Sequence, residues 1–398
     1  MEDFKSKFAI VGLGITHVGH NPGKTARQLE AEAGRLAIED SGINPQEIDA
    51  AIQCLTDPGG GVRERYDDCF ARMLGLPSKV YFPNVGRGGE TAIMAILIAT
   101  QLLNLGMAKY VLVAGSRDDW YRSHKRPESG ERGKKYMPKV GAWGRPFGDI
   151  RAVGTHSFFG ARHMHEYGTT SAHLGHVAVS ERKWACLNPQ AYMYGRPMTI
   201  EDHQNSPMIV WPYRLLDICL VSDSGTAFIV TTADRAKDMK RPPVSIMGLG
   251  FGEQLAELWW EKKNYTTLAV KTAKEDAFRM AGITLEDIDF AEIYDCFTTE
   301  VVMGVEDYGW CKKGEGGPFI AEGHIAPGGD IPVNTGGGLL SSHHLGNLTG
   351  LGEAVIQLRG EGGARQVPDA KIGLVTGHGG EIFSGQMCSI HSTLILGR

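Results

Sequence analysis

The stretch AIEDSGINPQEIDAA at residues 37–51 returns as AFRMAGITLEDIDFA at residues 277–291, an offset of 240, with Ala, Gly, Ile, Ile, Asp and Ala in coinciding places. Each copy reads as a helix end, a glycine C-cap, a short loop and a new strand. Upstream, AIVGLG (9–14) matches SIMGLG (245–250), each an apolar strand expected to end in a glycine turn. Downstream, AKYVLVAG (108–115) matches AKIGLVTG (370–377), both of the buried-strand type. Segments around Asn84 and Asn334, each followed by glycines, form a looser fourth pair. Four matches in one order predict a duplicated α/β fold with halves 1–236 and 237–398. Each half is expected to hold a mostly parallel sheet.

The chain has 398 residues, 42% apolar and 22% charged, enough for a sizeable core. A net charge of −5 argues against a dedicated nucleic-acid binder. The 53 glycines follow no Gly-X-Y period, which excludes collagen. The longest apolar run, near 92–103, is shorter than the ~20 residues of a membrane span. The charged start MEDFKSKFAIVGLG leads straight into a strand and is not read as a signal peptide. Seven cysteines (54, 69, 186, 219, 296, 311, 388) form no Cys-x-x-Cys pair. Neither a zinc ribbon nor another metal site is expected, and reduced thiols fit a cytoplasmic protein.

Residues from about 117 to 235 find no counterpart in the second half. Within them, 121–151 hold nine Lys/Arg against three acids. The composition fits a solvated excursion. It fits equally a lid offering Arg122, Lys125, Arg126, Arg132, Lys134, Lys135 and Lys139 to a polyanion such as a nucleotide phosphate.

Several motifs are weak. Gly12-Leu13-Gly14 lacks the third glycine of a dinucleotide fingerprint, and its copy at Gly248–Gly250 argues for structure. There is no Walker motif and no Gly-x-Ser-x-Gly elbow. His163 and His165 fall on different helix faces and are expected at the surface. Two segments are stronger. Glu292-Ile293-Tyr294-Asp295-Cys296-Phe297 closes a strand, where α/β proteins place reactive groups; Cys296 is either a proton-exchanging thiol or a core cysteine. NTGGGLLSSHHLGNLTG (334–350) lets a ligand approach the backbone at Gly337 and Gly338. Its His343 and His344 precede a turn into a helix over 351–359, where N–H donors and a histidine can serve one oxyanion.

Together these segments resemble the thiolase superfamily, specifically the sterol carrier protein-type thiolases and thiolase-like lipid-transfer proteins, over essentially the whole chain. Tyr294-Asp295-Cys296-Phe297 is similar to the family's His-Asp-Cys-Phe. His344 to Gly350 is similar to His-Pro-x-Gly-x-Thr-Gly, with Leu345 for the proline and Asn347 for the glycine. Asn188-Pro189 through Arg196-Pro197, and Ile200 to Gln204, resemble the lipid-transfer-type members. The resemblance implies a five-layered α-β-α-β-α fold, coenzyme A thioester substrates and a homodimer.

The family's nucleophilic cysteine falls on Gly86 here, so the usual acyl-enzyme cannot form. By resemblance, Cys296 moves the α-proton, His344 stabilises the thioester oxygen and Tyr294 helps build that oxyanion environment. His378 stands where the fourth motif has a reactive residue. Enolate stabilisation without the nucleophile implies retro-aldol cleavage of a β-hydroxyacyl-CoA, with Tyr294, Cys296 or His378 as base. The relatives of that type work with a separate zinc-ribbon/OB-fold partner. They tend to carry Tyr where this chain has His344 and His where it has Cys296. A β-ketoacyl-CoA thiolase or acyltransferase of steroid or aromatic degradation, using Cys296 or direct attack by CoA, is the alternative. A catalytically silent acyl-CoA- or lipid-binding subunit is a further one, opposed by the retained Cys296 and His344.

Overall fold

The computed structural model describes residues 4–5, 7–21, 23–54, 69–85, 88–124, 152–254, 264–379 and 389–398. Its strands are β1 (Phe8–Ile15), β2 (Ala50–Cys54), β3 (Val80–Val85), β4 (Tyr110–Asp118), β5 (Met208–Val210), β6 (Tyr213–Arg214), β7 (Asp223–Thr232), β8 (Val244–Gln254), β9 (Phe290–Glu292), β10 (Ile372–Gly379) and β11 (Ser389–Gly397). The longer helices are α1 (Ala26–Ser41), α2 (Thr91–Asn104), α3 (Ala152–Tyr167), α4 (Ser171–Cys186), α5 (Val270–Ala281), α6 (Thr298–Tyr308) and α7 (Asn347–Arg359).

The repeated stretch builds the same corner twice. Gly42 and Gly282 end α1 and α5 in the left-handed conformation, at φ 73° and 63°, and their N–H groups donate to Ile38 O and Phe278 O. The repeated aspartate then fixes the next strand. Asp49 Oδ1 accepts from Lys109 N and Tyr110 N at 2.8 and 3.3 Å. Asp289 Oδ2 accepts from Lys371 N and Ile372 N at 2.7 and 2.8 Å. One side chain thus registers β4 and its counterpart β10.

Nine strands form one sheet in the order β3-β2-β4-β7-β1-β8-β11-β10-β9, and β5–β6 is a separate hairpin. The halves meet at a short β1–β8 ladder, Ala9 to Ser245 and Ile10 to Val244. The expected mostly parallel sheets are mixed. β2–β3, β2–β4 and β9–β10 are parallel, whereas β4–β7, β7–β1, β10–β11 and β11–β8 are antiparallel. The cause is a return strand closing each half, β7 in the first and β11 in the second. The stretch without a counterpart therefore ends before Asp223.

Helix α2 touches β2, β4 and β7 on one side and β10 and β11 on the other, and α7 lies beside it. Helix α1 covers the outer face of β1, β4 and β7, and α5 that of β8 and β11. The layering is α-β-α-β-α. The central core joins Ile52, Ile93, Ile96 and Val113 of one half to Leu348, Leu351, Val375 and Leu394 of the other, all fully buried. Gly14 lies inside β1 rather than in a turn: a side chain there would overlap Ala33 O of α1. Gly250 meets Ala273 O of α5 in the same way. Those glycines set close helix–sheet packing, not a nucleotide site. No described helix is long and apolar enough to cross a membrane.

Candidate active site

The β9–α6 junction carries several of the candidate site residues. After β9 the chain passes Tyr294, whose N–H donates to Thr376 Oγ1 of β10 at 2.8 Å. Cys296 follows, 8% exposed, and Glu300 lies fully buried in the first turn of α6. Facing them is His156 of α3, buried and hydrogen-bonded through Nδ1 to Glu300 Oε1. Ligand-capable atoms of His156, Cys296 and Glu300 lie within 4.8 Å of one another. The direct Glu300–His156 bond suits proton transfer, and the same three donor types could also hold a cation. The His156 ring also meets Phe297 at 4.6 Å and the edge of His378 at 6.0 Å between centroids. His378 is in turn 6.0 Å from His391, whose Nε2 is 3.0 Å from the Tyr308 hydroxyl.

The segment that carries a nucleophile in thiolases contributes no nucleophilic side chain among its described residues. Gly86 lies outside the described residues, but Gly88 bridges to Gly379 at the end of β10. Gly89 sits directly under the Tyr294 ring, and a methyl group there would overlap both Tyr294 Cζ and His378 O. Tyr294 is thereby packed against the start of α2, the helix that follows that segment. The N–H of Ala92 in its first turn is already taken by Asn347 Oδ1 at 2.9 Å.

The 334–350 loop brings His344. Its N–H donates to Ser222 Oγ at 2.9 Å, and its Nδ1 lies 3.7 Å from Cys219 Sγ. Cys219 also donates its backbone N–H to Cys296 O at 3.0 Å, so one strap, residues 217–222, ties the two predicted residues together. Burial first, then the nearby Arg117 cation, pushes His344 down to about 3, against an opposing pull from Asp119. Burial pushes the Cys219 thiol up to about 12. Both groups are therefore neutral at pH 7. His343 is held down to about 4 by burial.

Beneath the loop sits a buried carboxyl scaffold. Asp295 Oδ2 accepts from Leu339 N and Leu340 N at 2.6 and 3.1 Å. Glu181 Oε1 accepts from Asn334 Nδ2 at 2.8 Å, and Glu292 Oε1 from Thr335 Oγ1 at 2.8 Å. Glu353 pairs with Arg365 at 2.8 Å. A side chain at Gly338, which is left-handed at φ 58°, would strike both Asp295 and Glu181. Burial raises Asp295 to about 6, and raises Glu181 and Glu292 well above the usual carboxylate range.

The structure thus gathers Tyr294, Cys296 and His378 at one end of the sheet, with His344 tied in through Cys219. Gly337 and Gly338 lie in the loop on the carboxyl scaffold. Arg122 is held by Asp118 and Asp119, at 2.8 and 2.5 Å. Lys125, Arg126, Arg132, Lys134, Lys135 and Lys139 lie outside the described residues. His163, expected at the surface, is fully buried between Glu306 (2.9 Å) and Thr169 (2.7 Å). Only His165 faces solvent. The sequence reading missed His156, Glu300 and His391.

Two half-sheets around paired central helices, with tyrosine, cysteine and histidines converging at the strand ends, define a thiolase-like enzyme. Residues 256–398 match the family model for a thiolase C-terminal domain-like region. The steroid side-chain-cleaving aldolase of Thermomonospora curvata is 34% identical over 95% of this chain and 96% of its own length. The 17-hydroxy-3-oxo-4-pregnene-20-carboxyl-CoA lyase of Mycobacterium tuberculosis is 32% identical over 88% of this chain and 91% of its own. Among solved structures, the Ltp2-ChsH2(DUF35) aldolase superposes with a TM-score of 0.86 at 33% identity, covering 99% of this chain and 98% of that one. The chain belongs to the thiolase superfamily, in the sterol carrier protein-type branch that includes these aldolases.

Proposed function

We propose that this protein cleaves the Cα–Cβ bond of a β-hydroxyacyl-CoA by retro-aldol chemistry, with coenzyme A carried as the thioester. The observation that carries this reading is Tyr294 lying over Gly89, a phenol in place of thiol chemistry at the start of α2. In this reading Tyr294, acting as its phenolate, takes the β-hydroxyl proton. The C–C electrons then pass into a thioester enolate, releasing a ketone. In this reading the Cys219 thiol donates to Nδ1, which leaves the His344 proton on Nε2. Nε2–H then donates to the enolate oxygen without becoming its proton source. Cys296 protonates Cα.

For a substrate like that of the mycobacterial lyase, atom counting gives a 17-keto steroid and propionyl-CoA. The test is to incubate the protein with such a tertiary β-hydroxyacyl-CoA and separate the products. Stoichiometric ketone and propionyl-CoA support the reading; unreacted substrate that is nonetheless bound contradicts it.

The Cys296–His156–Glu300 set favours one second reading, acyl transfer through Cys296. An acyl adduct lost in Cys296→Ala would establish it. We further propose a cytoplasmic homodimer working with a small zinc-ribbon/OB-fold partner; the DUF35 component of the similar aldolase structure supports a partner subunit. In this reading, the lysines and arginines after Arg122 hold the CoA phosphates. Protection by CoA against proteolysis between residues 122 and 145 tests that assignment.

A further inference from the structure

We infer that His156 and Glu300 form a proton-supplying dyad that acts through Cys296, positioning and recharging the thiol that protonates the enolate. The inference rests on the enolate reading above. Three observations carry it. The imidazole and carboxylate bond each other in a site where His156 is 3% and Glu300 0% exposed. Cys296 stands within 4.8 Å of both, hydrogen-bond reach after small adjustment or through one water. The second carboxylate oxygen, Glu300 Oε2, is buried and makes no hydrogen bond among the described residues. A carboxyl and an imidazole bonded in such a dry site can pass a proton between them, each offsetting the other's charge.

As the C–C bond breaks, its electrons form the enolate. A Cα–H bond then forms while the Cys296 S–H bond breaks, leaving a thiolate. The proton on His156 passes to sulfur, and Glu300 balances the imidazolium until it does. The cycle closes when Tyr294 releases the hydroxyl proton to solvent and a solvent proton reloads His156; one proton is lost and one gained, so turnover is proton-neutral and needs no co-reactant.

His156 belongs to α3, in the stretch without a repeat counterpart, and Glu300 belongs to the duplicated half. The dyad therefore exists only where the two meet.

Hydrogen exchange at Cα of a product acyl-CoA in D2O isolates this step, because it needs no ketone. The purified protein, with any subunit that copurifies, is incubated with propionyl-CoA, and deuterium uptake is read by mass spectrometry. We expect uptake in the wild type, insensitive to EDTA. His156→Gln and Glu300→Gln should slow it roughly 100-fold with less than about a threefold change in KM. Glu300→Asp should recover part of the rate, and free imidazole part of it in His156→Ala. A purely structural role would give no such rescue. Exchange at wild-type rate in folded His156→Gln and Glu300→Gln would overturn the dyad, as would loss of wild-type exchange on adding EDTA. Exchange that depends on the dyad, without cleavage of any β-hydroxyacyl-CoA, would overturn the retro-aldol reading alone. Absence of exchange in wild type shown to bind propionyl-CoA would overturn both.

Discussion

The two halves share a scaffold and differ in what they place at its reactive end. In both, a helix is capped by a left-handed glycine and packs on a glycine-containing strand, and an aspartate fixes the next buried strand. At the catalytic end the likeness stops. The described part of the β3–α2 connection offers glycine backbone at Gly88 and Gly89. The β9–α6 junction offers Tyr294, Cys296 and Glu300, and the loop before α7 offers His344. In the proposed reading, the oxyanion and proton-transfer groups of the second half act without a nucleophile from the first.

Several variants sharpen or break this contrast. The largest effect is expected for Tyr294→Phe, which removes one hydroxyl from the chemical half. Its kcat should fall about 10³-fold with binding of acyl-CoA retained; steady-state kinetics on the β-hydroxyacyl-CoA decides it. A matched change in the silent half, Gly89→Ala, drives a methyl into the Tyr294 ring and His378 O. It should cost about 3 kcal/mol by overpacking. Thermal unfolding that leaves Tm unchanged would show that Tyr294 does not lie there.

Next come Asp49→Ala and Asp289→Ala. Each aspartate accepts two backbone N–H groups, so each variant should lose about 2 kcal/mol, and the two losses should match. Unequal Tm shifts would break the equivalence of the corners. The smallest effect concerns His343. Its folded value, about 4, lies below its ordinary 6.5, so the unfolded chain binds the extra proton between them. Stability is lost as pH falls from 6.5 towards 4. His343→Gln removes that loss, and its stability relative to wild type should rise by about 1 kcal/mol between pH 7 and 5.5. Asp295 runs oppositely: raised to about 6, its contribution fades as pH climbs through 6.

Much of the fold was legible because duplication writes the same local rules twice. The C-cap glycines, the loop and the buried strand after it each had a partner to check against. The antiparallel return strands β7 and β11 were not legible. An apolar strand buried on both faces has the same pattern whichever way it runs. Tyr294, Cys296 and His344 were found because motifs hold them. His156 and Glu300 were missed because neither has a motif, and they meet across 144 residues of chain. His163 misled for a related reason. Helical spacing says which residues share a face, and the buried Glu306 that receives His163 comes from α6.

The most direct test of the account is mass spectrometry of a quenched reaction with a tertiary β-hydroxyacyl-CoA, reading products and intact protein together. We predict ketone and the shortened acyl-CoA in equal amounts, on a protein of unmodified mass. An acyl adduct on Cys296, with no ketone released, would contradict non-covalent enolate chemistry and return the protein to acyl transfer.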